Sequence, residues 1–254
     1  MAPLSQNAVT VRRHDRDRFG TVLFAPPDRR EDLFALYAFN QEVAQLRDRV
    51  SEPLLGRIRL QWWRDGLDQL FAGQSIAHPA ASGLGEAIAR HHLPGEPFRC
   101  LLDARERDLL GTPLDDIDDL RRYAEATAGT LGELAMRILG ETAEPSLSAA
   151  RQVGTAWGMT GLMRAAPYGR ALMSKRLQAD SRLIATEVRG LLAAARQANA
   201  RIPAKAVPGL LFARLAESYL ARLERVDYDL ANRDWSVVRP RPLALAVCML
   251  TRRY

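Results

Sequence analysis

Ala35-Leu-Tyr-Ala-Phe-Asn-Gln-Glu-Val-Ala-Gln-Leu-Arg-Asp-Arg-Val-Ser-Glu-Pro53 is the stretch whose reading decides the fold. With Leu33 before it, Leu36, Tyr37, Val43 and Val50 recur at helical spacing, which is the period of an α-helix rather than the alternation of a strand. The helix is entered after Pro26, Pro27 and Asp28 and ends near Ser51 to Pro53. Working outward, the same period continues. A second helix begins near Leu54 and runs through Ile58, Trp62, Leu67 and Phe71 to Gly73, and shorter ones cover about 83–92 and 96–110. Further helices span Asp115 to Leu139 with Gly140 at the C-cap, Ser146 to Ala166 closed by Pro167, and Asp180 to Ala200. One more spans Ala206 to Asp229, entered through Ile202-Pro203. After Trp235, Pro240 and Pro242, an apolar helix from Leu243 to Leu250 packs last.

Alternating β-branched strands and hairpin turns are absent from the pattern, so the fold class is all-α, a helical bundle. No Gly/Ser-rich or Pro-rich linker divides the chain and no internal repeat is found. Residues 1–254 therefore read as a single domain, with 1–15 a loose amino-terminal extension. At 47% hydrophobic and 26% charged residues the chain can bury a sizeable core, which excludes disorder.

The net charge of +6 and pI near 9.8 would favour acidic partners. The basic residues are nearly all Arg, however, and alternate with acids, as in Arg105-Glu-Arg-Asp108. This is the pattern of a salt-bridged surface and gives no support to nucleic-acid binding. Cys100 and Cys248 stand alone, which fits a reducing compartment. His14, His78, His91 and His92 lack the spacing of a metal site, and the adjacent pair points to different sides of a helix. Met1 to Thr10 has no apolar signal core, and Asp15 and Asp17 are out of place in an acid-poor presequence. No run approaches the roughly 18 apolar residues of a membrane span. The expectation is a cytoplasmic protein whose membrane contact, if any, is peripheral, at the inner face of the cytoplasmic membrane.

Asp115-Asp-Ile-Asp-Asp119 looks like a site for magnesium and diphosphate, yet it follows Gly111-Thr-Pro113 and opens a helix. Acids there cap free amides and offset the macrodipole. A diphosphate site needs carboxylates on two opposed helices.

The Ala35–Pro53 stretch, together with two later ones, resembles the squalene/phytoene synthase family. In the family's tyrosine-led first motif Tyr37 is kept, Asn40 and Gln41 stand for Cys-Arg, Ala44 and Gln45 for the first two aspartates, and Asp48 for the last. The second motif, QxTNxxRDxxxD, is similar to Gly158, Thr160, Gly161, Arg164 and Ala165. Gly161 replaces its Asn, Ala165 and Gly169 replace its Asp pair, and Arg164 survives. Tyr123-Ala-Glu-Ala-Thr-Ala-Gly-Thr-Leu-Gly132 looks like the stretch between them.

The resemblance implies the isoprenoid synthase fold. Its activity, ionising a prenyl diphosphate on carboxylate-held magnesium, would need more charge than Asp48 alone supplies. No catalytic residue, cofactor or metal site is therefore expected. Tyr37, Gln41, Ala44, Gln45, Asp48, Gly161, Arg164 and Ala165 are vestigial motif positions, and Tyr37, Glu42, Asp48, Arg164 and Tyr168 mark the old cleft, with Arg47 beside them. Asp48 is expected to pair with Arg47, Arg49 or Arg164.

Ala38-Phe-Asn-x-Glu-x-Ala-x-x-Arg-Asp-x-Val-Ser51, Leu162 to Tyr168, Ile202 to Pro208 and Arg225 to Asp229 are similar to the branch of the family that contains a mitochondrial complex I assembly factor. On this reading the likeness runs from about Arg16 to the carboxyl end. It implies an accessory or assembly role with a protein partner, respiratory complex subunits among the candidates. Two alternatives stay open. One is a prenyl transferase with magnesium on Glu42, Asp48 and the acids at 103, 106 and 108. The other is a magnesium-independent isoprenoid or lipid binder using a cavity near Trp62, Trp63, Trp157, Met159, Leu162 and Met163. Gly154, Gly158 and Gly161 are expected to allow close helix approach.

Overall fold

The computed structural model describes residues 3–50, 52–170, 172–197, 202–237, 242–251 and 254. Prolines in first turns and left-handed stops at Gly111 and Gly140 punctuate the chain as the sequence suggests. Among the described residues the fold is all-α, with no strand beyond an isolated bridge between Leu114 and Met173.

The expected loose extension is instead a helix, α1 (Gln6–His14). Ser5 caps it by accepting from the Ala8 amide at 3.1 Å, and Ala8 and Val11 are buried against α3 (Pro27–Ala44). Two apolar positions and a cap were too short a signal among Arg12, Arg13 and His14. A second helix missed by periodicity, α2 (Arg16–Val22), follows at once, capped by Asp15. The long helix expected after Pro26 is interrupted: α3 stops at Gln45, whose backbone opens to φ −90°, ψ 0°, and α4 (Leu46–Arg49) is a single turn.

Three pairings follow from α5 (Pro53–Phe71), α6 (Pro79–His91) and α7 (Glu96–Leu110): α3 packs on α6, and α5 on both α6 and α7. Phe39, Trp63 and Phe98 form the aromatic seam, edge to face, with centroids 5.0 and 5.7 Å apart. The α3–α6 interface buries Asp32. Arg29 donates to His91 Nδ1 at 3.0 Å, which leaves the ring proton on Nε2 for the Asp32 carboxylate at 2.6 Å. His91 is accordingly enclosed while His92 is exposed at a left-handed stop, φ 49°.

The helix expected from Asp115 to Leu139 is in fact α8 (Ile117–Ala124), a π-helical turn over Glu125–Gly129, and α9 (Thr130–Ile138). The hydroxyls of Thr127 and Thr130 donate to the carbonyls of Tyr123 and Glu125, supporting the widened turn. The acidic run does what a helix start asks of it: Asp116 accepts from the Asp119 amide at 2.7 Å, and Asp119 takes two bonds from Arg107.

Helix α10 (Glu144–Ala165) is the central element, packed against α8, the π turn, α9, α12 (Ser181–Gln197) and α13 (Phe212–Arg225). Between α10 and α12 lie a 3-10 turn (Ala166–Tyr168) and short α11 (Lys175–Ala179). The expected end of α12 at Ala200 lies outside the described residues, as does Pro240. The helix expected from Ala206 starts as 3-10 over Ala204–Leu210, because Pro208 has no amide to continue an α ladder, and α13 begins only at Phe212. Last comes α14 (Pro242–Thr251). Glu133 joins α9 to α10 by accepting from Arg137 and Arg151 at 2.8 Å. Burial alone would raise its pKa; the bonds from Arg151 and Arg137 outweigh that and lower it.

Candidate functional site

The two motif segments end on α3–α4 and on α10, and the structure brings them to one region through α2. Successive α2 residues serve the two sides. The Arg18 guanidinium, fixed by Asp15 at 2.5 Å, lies over the Tyr37 ring at 5.4 Å and over Phe212 at 5.6 Å. Asp17 faces Arg164 of α10 at 3.1 Å and accepts from the Tyr219 hydroxyl of α13 at 3.2 Å.

Arg164 is held on several sides at once. Its guanidinium sits over the Tyr219 ring at 4.0 Å and the Trp157 ring at 5.6 Å, and Nε donates to the Ser236 carbonyl at 3.4 Å. The Ser236 hydroxyl donates to the Arg233 carbonyl, so the Tyr168 hydroxyl is the donor in its 3.0 Å contact with Ser236. Tyr168 also carries Arg233 over its ring at 5.3 Å. Burial raises the pKa of Asp17 and the Arg164 charge offsets only part of the rise. Tyr37, enclosed in the core, is pushed up to about 12 by desolvation, against a smaller lowering from Arg18, and stays protonated at neutral pH.

The remaining motif positions are diverted to local contacts. Gln45 donates its amide to Gln41 at 3.0 Å and Glu42 pairs with Arg49 at 2.9 Å. Ala44 and Ala165 are half-buried and offer no ligand atom. Asp48 does not pair with Arg47, Arg49 or Arg164 as expected; its exposed carboxylate is 3.9 Å from Arg170, just past the end of α10. Arg164 is unavailable to it because Asp17 holds it. The spacing of Gly161 is also not what was expected. A Cβ there would meet nothing within 4 Å, whereas at Gly154 and Gly158 it would meet the π turn at 2.3 and 2.8 Å.

Nor are the acids at 103, 106 and 108 gathered with Glu42 and Asp48. Asp103 and Glu106 bind Arg64 at 2.9 and 3.1 Å, and Asp108 binds Arg105 at 3.1 Å and Tyr123 at 2.7 Å. The tryptophans divide as well: Trp62 and Trp63 meet His78, tilted and edge-on, while Trp157 packs on Phe212 and Tyr219. Among the described residues no three His, Cys, Asp or Glu side chains are placed to hold a metal ion. The donor set at the motif positions, the exposed Asp48 carboxylate and an Arg164 already paired with Asp17, does not fit magnesium ions bridging to a diphosphate.

Asp17, Arg18, Tyr219 and Ser236 were not among the candidate residues read from the sequence. The only local trace of the first two is the alternation Asp15-Arg-Asp-Arg18, which is indistinguishable from a solvated helix start.

Comparison with known proteins places this geometry. The squalene/phytoene synthase family model matches residues 11–173. Complex I assembly factor 6 of Bos taurus is 34% identical over 158 residues, covering 62% of this chain and 47% of that protein. Phytoene synthase 1 of Arabidopsis thaliana is 28% identical over 151 residues, covering 57% of this chain and 35% of that protein. The chain thus spans about half the length of the assembly factor it matches. The crystal structure of squalene synthase HpnC from Alicyclobacillus acidocaldarius superposes with a TM-score of 0.76 over 88% of this chain and 93% of that one, at 23% identity, a likeness of fold. The family match is narrower than the expected span to the carboxyl end: Ile202–Pro208 and Arg225–Asp229 lie beyond it. No described helix is long and apolar enough to cross a membrane. On the match over 11–173, the chain belongs to the squalene/phytoene synthase family.

Proposed function

We propose that this chain is a non-catalytic member of the family that acts as an accessory or assembly factor for respiratory complex I. The observation that carries the reading is the Asp17–Arg164 ion pair, closed by Tyr219, at the surviving arginine of the second motif. A positive group that could meet a leaving diphosphate is already neutralised from within. The facing motif offers only the exposed Asp48. Ionising an allylic diphosphate requires concentrated positive charge at the developing anion, and this arrangement does not supply it. The greater identity to complex I assembly factor 6, 34% against 28% for phytoene synthase 1, supports the same direction.

Work by an assembly factor is done through protein contacts, so the retained bundle is the functional element and the old cleft its stabilised interior. Deleting the gene in its own host is expected to lower NADH:ubiquinone reductase activity of isolated membranes and the amount of fully assembled complex. Both return with the wild-type gene and equally with Asp48→Ala. Normal assembly in the deletion strain would overturn the role, and failure of Asp48→Ala to complement would restore a catalytic one.

A further inference from the structure

A cavity of about 300 Å³ opens where α8, the π turn and α12 meet α10. Its walls are Arg121 and Glu125 from α8 and the π turn, Ser148, Gln152 and Thr155 from α10, and Leu191 from α12. Arg121 and Glu125 stand two residues to either side of Tyr123 and therefore on the face of the helix opposite to it. Tyr123 is turned to the buried Asp108, and neither Arg164 nor Asp48 lines the cavity, so this space is distinct from the motif region. The π turn begins at Glu125 itself, and widened turns of this kind recur at functional sites.

Several wall residues carry bonding capacity that the fold does not use. Gln152 keeps its Oε1 buried without a hydrogen-bond partner. Thr155 donates its proton to the Arg151 carbonyl at 2.8 Å and keeps its lone pairs free to accept. Among the described residues the Glu125 carboxylate and the Ser148 hydroxyl have no side-chain partner. Arg121 is held only loosely, by Asp118 at 3.8 Å and Glu187 at 3.9 Å, beyond hydrogen-bond reach. Arg151, also in the wall, is already neutralised by Glu133 at 2.8 Å and by Glu144.

An amide oxygen, a hydroxyl oxygen and a carboxylate together call for a ligand rich in donors and positively charged. A primary ammonium brings three N–H donors and one charge. The unsaturated Arg121 calls for an anion, which a carboxylate meets with parallel hydrogen bonds. A polyol would satisfy the oxygens but leave the charges of Glu125 and Arg121 unmatched, and a polyanion is opposed by Glu125. The volume lies at the lower end of small-molecule sites, roughly 300–1,000 Å³, and suits a small polar molecule with Leu191 supplying apolar contact.

We propose that this cavity binds a small zwitterion of the amino-acid class, its ammonium on Gln152, Thr155 and Glu125 and its carboxylate on Arg121. The site is independent of the assembly-factor reading, since neither a protein partner nor the motif residues enter it. The test is isothermal titration of the full chain with each common L-amino acid, with phosphoethanolamine, and with the N-acetyl form of any amino acid that binds. At least one amino acid is expected to bind, and its N-acetyl form, which lacks the ammonium, about ten-fold or more weakly. Gln152→Leu and, separately, the exposed Glu125→Gln are each expected to weaken that binding by about ten-fold. Without ligand, Gln152→Leu should melt no lower than wild type, because it removes an unpaired buried oxygen rather than a bond. Absence of binding by every amino acid, equal binding of the N-acetyl form, or unchanged affinity in both variants would overturn the proposal. Binding of phosphoethanolamine alone would overturn the ligand class, and a lower melting temperature for unliganded Gln152→Leu would make Gln152 a structural residue and overturn its role.

Discussion

Asp108→Ala is expected to lower the unfolding free energy by about 3–5 kcal/mol, read from guanidinium denaturation followed by circular dichroism. The size follows from what the substitution strands. Asp108 is 6% exposed and is the carboxylate of a closed triad: it accepts from Arg105 at 3.1 Å and from the Tyr123 hydroxyl at 2.7 Å, and Arg105 also donates to that hydroxyl at 2.7 Å. Burial raises the pKa of Tyr123, so its hydroxyl is a neutral donor across the working range. Removing Asp108 leaves the Arg105 charge enclosed without its counter-ion, and that uncompensated charge, more than the lost bonds, sets the cost. Asp108→Asn keeps an acceptor for Tyr123 and is expected to fall between wild type and Asp108→Ala. A loss under about 1 kcal/mol for the alanine variant would mean that water reaches the triad.

Gly154→Ala and Gly161→Ala, seven residues apart on α10, are expected to have opposite signs. At 154 the new methyl would lie 2.3 Å from the Ala128 carbonyl oxygen and 2.9 Å from the Gly129 Cα, backbone atoms of the π turn that cannot rotate away. Overpacking against fixed backbone costs about 2–3 kcal/mol, more than the roughly 1 kcal/mol that alanine gains over glycine in helix propensity. At 161 nothing lies within 4 Å. Only the propensity remains, and Gly161→Ala should raise stability by about 0.5–1 kcal/mol. Thermal melts of both variants check the pair, and a stable Gly154→Ala protein would show that the π turn can retreat from α10.

This contrast also marks what the sequence could and could not disclose. Helix bounds set by local chemistry were readable: proline at the entries of α3 and α5, glycine at 140, acids at the start of α8. The loss of motif carboxylates at Ala44, Gln45 and Ala165 was readable by resemblance. The pairing that replaces them was not. Arg164 meets Asp17 across 147 residues of sequence and Tyr219 meets Asp17 across 202, and no periodicity reports such a distance. Three glycines in one helix look alike on paper, yet only the neighbours of Gly154 and Gly158 press close. The π turn is equally silent, since Ala, Thr and Gly suit an α-helix interrupted by a widened turn as well as a continuous one.

We propose that the chain keeps this fold without metal-dependent prenyl chemistry. It is tested most directly by thermal unfolding of the purified protein with farnesyl diphosphate and geranylgeranyl diphosphate, each with and without magnesium, followed by product analysis of the same mixtures. The Asp17–Arg164 pair and the lone exposed Asp48 predict no magnesium-dependent rise in Tm and no coupled prenyl product. A magnesium-dependent stabilisation accompanied by product would contradict the account.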